Sequence, residues 1–528
     1  MSMLSKTDKV ILTNLEALKA KYGNSGVANI STTINSLIAS DKQRGLATQL
    51  IALDDAGTMK KLGATRVTNA GSPKQNKDAI DAVYKALAPD YLLILGAIDV
   101  VPHQDLQNPM YDPSPNGDPD KTAFGDLPYA CEAPYSQNPQ DFFGPTRVLG
   151  RLPDVTGGKE EAYLVGLVET AASAKSSAAT QYHPYFGITA QIWEKSTALS
   201  LTHTFGSSSD LKDVPPNNEK WPTQPLGRVS HFINCHGASV SSQFYGQPSS
   251  GQRVYPVALD AAYIDGKIAE GTVGAAECCY GGELFDPALL KGQQGICNTY
   301  LANKAYGFFA STTIAYGPSD SNAQADLICQ YFLQSVLRGA SLGRAALEAR
   351  QNFVRAASPP DPSDIKTLAQ FNLYGDPSIT PVQVPSPVQD AVARVSEKAV
   401  SELSAERVER LDRRKALFRL GVTLAATEPR AYRERRKPRK SVETRLRNKA
   451  GELGVRPSTI LSFVLKHPRV QAKLLPKKLR AKETAPDRFY VVFGESERAQ
   501  TERVVSVVAL IAKEIGGEVV SVSRVESR

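Results

Sequence analysis

Two short segments of this 528-residue chain carry side chains that, brought together, could perform nucleophilic catalysis. Val229-Ser-His-Phe-Ile-Asn-Cys-His236-Gly237 is a short apolar run ending on a histidine, with glycine next. Thr272-Val-Gly-Ala-Ala-Glu-Cys278-Cys279-Tyr280-Gly-Gly-Glu283 is a second apolar run, and it ends on a cysteine that enters a glycine-containing turn. A thiol is mostly protonated at neutral pH, and a nearby imidazole makes the nucleophilic thiolate available. Glycine close after each group lets backbone approach a substrate carbonyl, so the amides of Gly237 and Cys279 are candidates for an oxyanion site. Taken singly, a strand histidine is usually structural and a free cysteine is commonly an inert core residue. The pairing at the ends of two apolar runs is what singles these out. Cys278 is the alternative nucleophile, although its side chain would leave a strand end in the opposite direction.

Such residues need strands to deliver them. Residues 91–95, 147–149, 229–234, 272–276 and 307–313 read as short apolar strands, and residues 78–87, 160–174 and 323–338 as helices. This alternation predicts α/β layers around a largely parallel sheet. In such sheets, groups at the carboxyl ends of neighbouring strands converge on one crevice, which would unite the imidazole and the thiol. Residues 102–145 form a Pro-, Asp-, Asn- and Gly-rich stretch too long to be a mere connection. A proline-spaced linker over residues 381–387 closes the α/β region. Beyond it, residues 388–424 read as a charged amphipathic helix and residues 430–440 as a basic run too charged to pack. Residues 488–493 and 518–522 read as strands flanking a helix at 497–515. The expected division is an N-terminal α/β subdomain (1–150), a catalytic subdomain (151–385), a charged helix and basic linker (386–450) and a small α/β module (451–528).

Composition agrees with a globular protein: 41% apolar and 22% charged residues. Six cysteines, without a Cys-x-x-Cys pair, make neither a disulfide framework nor a zinc site, so no metal is expected at the catalytic centre. The N-terminus lacks the uninterrupted apolar segment of a secretory signal and no stretch reaches membrane-spanning length, so a cytoplasmic location is expected. Charge is divided unevenly. Residues 386–528 hold 32 Lys+Arg against 18 Asp+Glu, a net +14, whereas the rest holds 30 against 36, a net −6. A basic C-terminal region of this kind is either a solvated linker or a surface for nucleic acid or a regulatory protein partner.

Several ordered segments resemble one family. FINCHGA and VGAAECCYGGELF resemble the His-Gly and Ala-Cys motifs of the caspase-like cysteine peptidases, and among them most the gingipain family. YLLILGAIDVVPH resembles that family's strand-Gly-Asp-Val-Pro segment, FGDLPYA its Ser-Asp-x-x-Tyr segment and VLGRLP its Gly-Arg-Phe/Leu-Pro strand. AYGFFASTTIAYG resembles the strand after the nucleophile, and FNLYGDPSI the closing Leu-x-Gly-Asp-Pro. The likeness spans residues 89–381. It implies caspase-like, gingipain-like α/β/α layers with a mostly parallel sheet, followed by a basic C-terminal accessory region.

The implied activity is that of a cysteine endopeptidase acting on peptide or protein substrates, with His236 as base and Cys279 as nucleophile. CYGGE fits the family's spacing if Cys279 is the nucleophile, while Glu277-Cys278 departs from the small residue usual at that point and keeps Cys278 open. In gingipains that cut after arginine, an aspartate of the Ser-Asp-x-x-Tyr segment binds the guanidinium. Asp126 stands in its place, which implies cleavage after Arg or Lys; capping of a turn is the other reading of Asp126. Tyr280, Thr312 and Thr313 are positional candidates for the pocket lining. Asp99 and His103 could orient His236, bind a structural calcium ion or merely solvate a loop, and Asp376 reads as a turn former. Cleavage after basic residues would make the run at 433–440 a target for self-processing. Two alternatives stand beside this reading: a catalytically silent scaffold, and a nucleic-acid-associated effector controlled through the basic region.

Overall fold

The computed structural model describes residues 7–357, 359–384, 398–427, 434–465, 488–495 and 504–528. Short runs of consecutive apolar residues make the central strands. Lys9–Thr13 (KVILT) and Tyr91–Leu95 (YLLIL) are buried at every position, as strands covered on both faces must be. Helices between them start on recognisable signals. The helix Pro73–Leu87, for example, has proline in its first turn and a Ser72 side chain that accepts from the Gln75 amide.

One ten-stranded sheet results. Its strands lie in the order Thr48–Ala52, Lys9–Thr13, Tyr91–Leu95, Leu149–Leu152, Phe371–Gly375, Gly307–Ser311, Val273–Ala276, Ser230–Asn234, Tyr185–Ala190 and Leu211–Val214. The first five run parallel to one another and so do the last five; the two sets meet antiparallel where Gly307–Ser311 pairs with Phe371–Gly375. The fold is therefore a layered α/β architecture with a mostly parallel sheet. The strands that precede His236 and Cys279 are immediate neighbours in the second set, with Ile233 opposite Ala276. Their carboxyl ends leave the same sheet edge.

A second sheet is antiparallel throughout: Tyr316–Gly317, Glu518–Ser527, Val508–Ile515, Arg488–Gly494, Pro457–Val464 and Glu434–Arg435. Side chains alternate across it, as they must on a strand. Tyr490, Val492, Leu510 and Ala512 pack under Val442, Leu446 and Ala450 of the helix Lys440–Glu452. Phe489, Val491, Phe493, Ala509 and Ile511 join the main core. This sheet thus packs on the main core along one face, and its Tyr316–Gly317 strand belongs to the segment that follows Gly307–Ser311.

Several expectations are corrected here. The strand expected at 147–149 lies at Leu149–Leu152. The helix expected at 497–515 is a strand over Val508–Ile515, residues 497–503 lying outside the described ones, and the strand expected at 518–522 extends through Ser527. The charged helix spans Lys398–Thr427, with residues 388–397 outside the described ones, and it docks rather than floats. Arg410 and Arg414 pair with Asp90, and Leu424 is buried. Of the basic run, residues 430–433 lie outside the described ones; beyond them Arg435 lies in the edge strand with its guanidinium donating to the Tyr111 carbonyl, and Arg439 pairs with Glu514 at 2.7 Å. Among the described residues no helix is long and apolar enough to cross a membrane.

Candidate active site

His236 and Cys279 leave adjacent strand ends, and their backbones touch. A Cβ on Gly237 would sit 1.8 Å from the Cys279 carbonyl oxygen, so only glycine permits the approach. The two amides that flank this contact point the same way. Gly237 N–H and Cys279 N–H donate to a single carbonyl oxygen, that of Arg528, at 3.3 and 3.2 Å. Two convergent backbone donors on one oxygen are the arrangement that stabilises a developing oxyanion.

The imidazole is held from several sides. Gln247 Oε1 accepts from His236 Nε2 at 2.7 Å, while Gln247 Nε2 faces the carbonyls of Gly251 and Gln252. With the Nε2 proton committed to Gln247, Nδ1 presents its lone pair, and it has no partner among the described residues. Trp193 and Tyr255 pack on the ring with centroids 4.3 and 5.0 Å away. Burial pushes the imidazole pKa down to about 3, so the ring is neutral.

Cys279 Sγ meets the backbone of Ala315. It accepts from the Ala315 amide at 3.3 Å and lies 3.6 Å from the Ala315 carbonyl. Burial pushes this thiol up to about 12, against the pull of the Ala315 amide. No hydrogen bond joins Cys279 Sγ to His236 among the described residues. Cys278 faces the core instead, its Sγ 3.9 Å from the Ile233 carbonyl, and its amide does not take part in the oxyanion cradle.

The loops behind Cys279 are braced by acids. Tyr280 adopts a left-handed backbone, φ 56°, which a non-glycine residue holds only when its surroundings fix it. Its amide donates to the Thr313 carbonyl and its hydroxyl to Asp120 at 2.7 Å. Asp120 also accepts from the Ile314 amide and shares Lys366 with Asp118. The stretch expected as one long loop at 102–145 contains the antiparallel strands Gln104–Gln107 and Thr122–Gly125, and both aspartates come from the connection between them, which supports the segment running past Cys279. Glu283 accepts from Ser239 and from the Val240 amide, tying the turn after Cys279 to the turn after Gly237.

The residues expected to bind substrate have partners within the protein. Asp126 is not free for a substrate guanidinium: Arg151 Nε and Nη2 hold both its oxygens at 2.8 and 2.6 Å, and His103 Nδ1 lies 3.0 Å away. That pairing holds its carboxyl well below the usual range despite the opposing effect of burial. Thr312 and Thr313 direct their hydroxyls at the Phe124 carbonyl and at Gln370, and the Tyr280 hydroxyl donates to Asp120. His103 is buried between Asp126 and Tyr374, Asp99 pairs with Lys21, and neither reaches His236. No group of three or more potential metal ligands clusters among the described residues. Asp376 accepts from the Ser378 amide in its turn and forms a buried ion pair with Lys9.

Two acids escaped the sequence reading as pocket residues. Asp326, in the first turn of the helix Gln324–Leu337, takes Arg528 Nη2 on both oxygens at 3.0 and 2.8 Å. Glu277 lies 4.0 Å from Arg528 Nε. Asp326 looks like ordinary first-turn acid chemistry, whereas Glu277 gave a signal, as a charged residue where the resemblance calls for a small one. Trp193 lies face-on to the guanidinium, 4.4 Å from its ring centroid. Burial raises the Glu277 carboxyl well above its usual range, and the neighbouring Asp326 adds to the effect.

No protein family and no curated protein matches this chain. Among solved structures, one called "Structure of Protease" aligns over 99% of this chain and 98% of its own length, at 10% identity and a TM-score of 0.45. Likeness at that level carries no argument about activity.

Proposed function

We propose that the protein is a cysteine endopeptidase that cleaves after basic residues, with Cys279 as nucleophile and His236 as base. The observation that carries this reading is the pair of amides, Gly237 and Cys279, converging on one main-chain oxygen, that of Arg528, beside a buried thiol and a neutral imidazole. The likeness of the two motifs to the caspase-like, gingipain-like peptidases supports it further.

In the proposed reaction the Cys279 proton passes to His236 Nδ1 and the sulfur attacks the carbonyl carbon. A C–S bond forms, and the carbonyl electron pair moves onto the oxygen held by Gly237 N–H and Cys279 N–H. Collapse breaks the C–N bond, and the leaving amine takes the proton from His236. Water then attacks the thioester, gives its proton to His236 and releases the acid and the thiol. Removal of one oxyanion donor typically costs ~100- to 1,000-fold in turnover, which makes the cradle the largest single contribution named here.

Hydrolysis of fluorogenic peptides by the wild type and by Cys279→Ala, Cys278→Ala and His236→Ala variants tests the reading. Cys279→Ala should be inactive, Cys278→Ala should retain most activity, and His236→Ala should lose orders of magnitude while remaining folded. Activity that survives Cys279→Ala but not Cys278→Ala would reverse the assignment.

A further inference from the structure

The pocket that holds Arg528 is built for its side chain, and the backbone leading into it is built for a peptide. The Arg528 amide donates to the Ala315 carbonyl at 3.0 Å, Ser527 pairs antiparallel with Tyr316, and Glu526 with Gly317. The Arg528 carbonyl lies in the amide cradle, and its side chain is wholly buried. Nη2 alone reaches Asp326, the Pro318 carbonyl at 2.7 Å and Ser196. Strand pairing of the backbone, insertion of one side chain and presentation of its carbonyl to two amides are together what an extended peptide requires at a peptidase cleft.

We infer that residues 526–528 are a built-in occupant of the substrate cleft, and that the recess of Trp193, Glu277 and Asp326 is its specificity pocket for arginine. The inference rests on the endopeptidase reading and adds to it both a residue preference and a form of regulation. The recess favours arginine over lysine because a planar guanidinium lies flat on an indole face, as Arg528 does over Trp193. An ammonium does only part of this. With the strand seated, Cys279 is 1% exposed. Any other substrate must first displace Ser527 and Arg528, so the antiparallel sheet that carries them competes with substrate in cis.

Binding tests this without relying on turnover. A fluorescein-labelled Val-Glu-Ser-Arg peptide, matching residues 525–528, is titrated by anisotropy into full-length Cys279→Ala protein with and without Arg528→Ala. Arg528→Ala should tighten binding by about tenfold or more, since it removes the competing side chain. Replacing the peptide's arginine with lysine should weaken binding by about tenfold, and replacing it with alanine by more. In the same background Asp326→Asn should abolish the preference for arginine over alanine, and Glu277→Gln serves as the second variant should Asp326→Asn fold poorly. Equal binding to both proteins would overturn the occupant, and equal binding of the arginine and alanine peptides would overturn the pocket. The peptidase reading fails separately: arginine-selective binding by these proteins, together with no hydrolysis by Arg528→Ala protein that keeps Cys279, would sink catalysis and leave the pocket standing.

Discussion

Arg151 and Arg528 are both fully buried arginines facing an aspartate, yet one pair is complete and the other is not. Arg151 uses Nε and Nη2 on Asp126 and Nη1 on the carbonyls of Gly96 and Val101, at 2.6 to 2.8 Å throughout. His103 Nδ1 lies against the same Asp126 carboxylate, and the Asp126 amide donates to the Asn372 side chain. Arg528 relies on Nη2; its Nε and Nη1 lack hydrogen-bond partners among the described residues. Leaving buried polar groups unpaired is costly. A structural ion pair has every reason to be complete, whereas a pocket that must release one ligand and accept another is better left with part of its capacity unused.

The largest expected effect is on stability. Asp126→Ala strands the Arg151 charge in the core with no route to water and should cost about 3–5 kcal/mol, read from urea unfolding. Asp326→Asn should cost much less, because Arg528 can leave its pocket for solvent. A reversed order would break the comparison.

Cleavage preference separates the two pairs next. Asp326→Asn should reduce selectivity for arginine about tenfold or more in library profiling, since the charge-assisted pairing with Nη2 is lost. Asp126→Asn protein that still folds should keep its selectivity. The opposite pattern would restore Asp126 as the specificity residue.

pH dependence sharpens the contrast because the signs differ. Asp126 titrates below its unfolded value, so its stabilisation is present above the ordinary carboxylate range and fades only as pH falls through its depressed folded pKa. Glu277 titrates well above 4.5 in the folded state. Its contribution is therefore full below about pH 4.5 and lost as pH rises through the raised value. Urea midpoints between pH 5 and 8 should show Glu277→Gln gaining on the wild type as pH rises, and Asp126→Asn showing no such gain. Parallel curves would contradict this.

The smallest effect concerns self-processing. Arg435 and Arg439 are pinned by strand pairing and by Glu514, so cutting there requires local opening. Incubated wild type and Cys279→Ala should both stay intact between Arg435 and Lys440 by mass spectrometry. Wild-type-specific cleavage would return that run to the role of an open linker.

Much of the sheet is legible in the sequence because its strands are compact apolar runs closed by turns; residues 91–95 need no adjustment. The pairing of the two motifs at one sheet edge follows from the same reasoning. Asp126 misleads because a motif says nothing of its tertiary partner, although that partner, Arg151, sits in the neighbouring VLGRLP motif. Residues 508–515 read as a helix because Ala509, Leu510, Ile511 and Ala512 are all buried, which erases the period of two. Nothing local foretells that Arg528 lies beside Cys279, since that contact depends on the second sheet closing against Tyr316–Gly317.

The most direct test is to find which sulfur acts. Full-length Arg528→Ala protein is reacted with a peptidyl-arginine thiol-directed inhibitor, and the adduct is mapped by mass spectrometry. One adduct is expected, on Cys279, formed together with loss of peptide hydrolysis, preserved in Cys278→Ala and absent in Cys279→Ala. An adduct on Cys278 that abolishes activity, or hydrolysis that persists in Cys279→Ala protein, would contradict it.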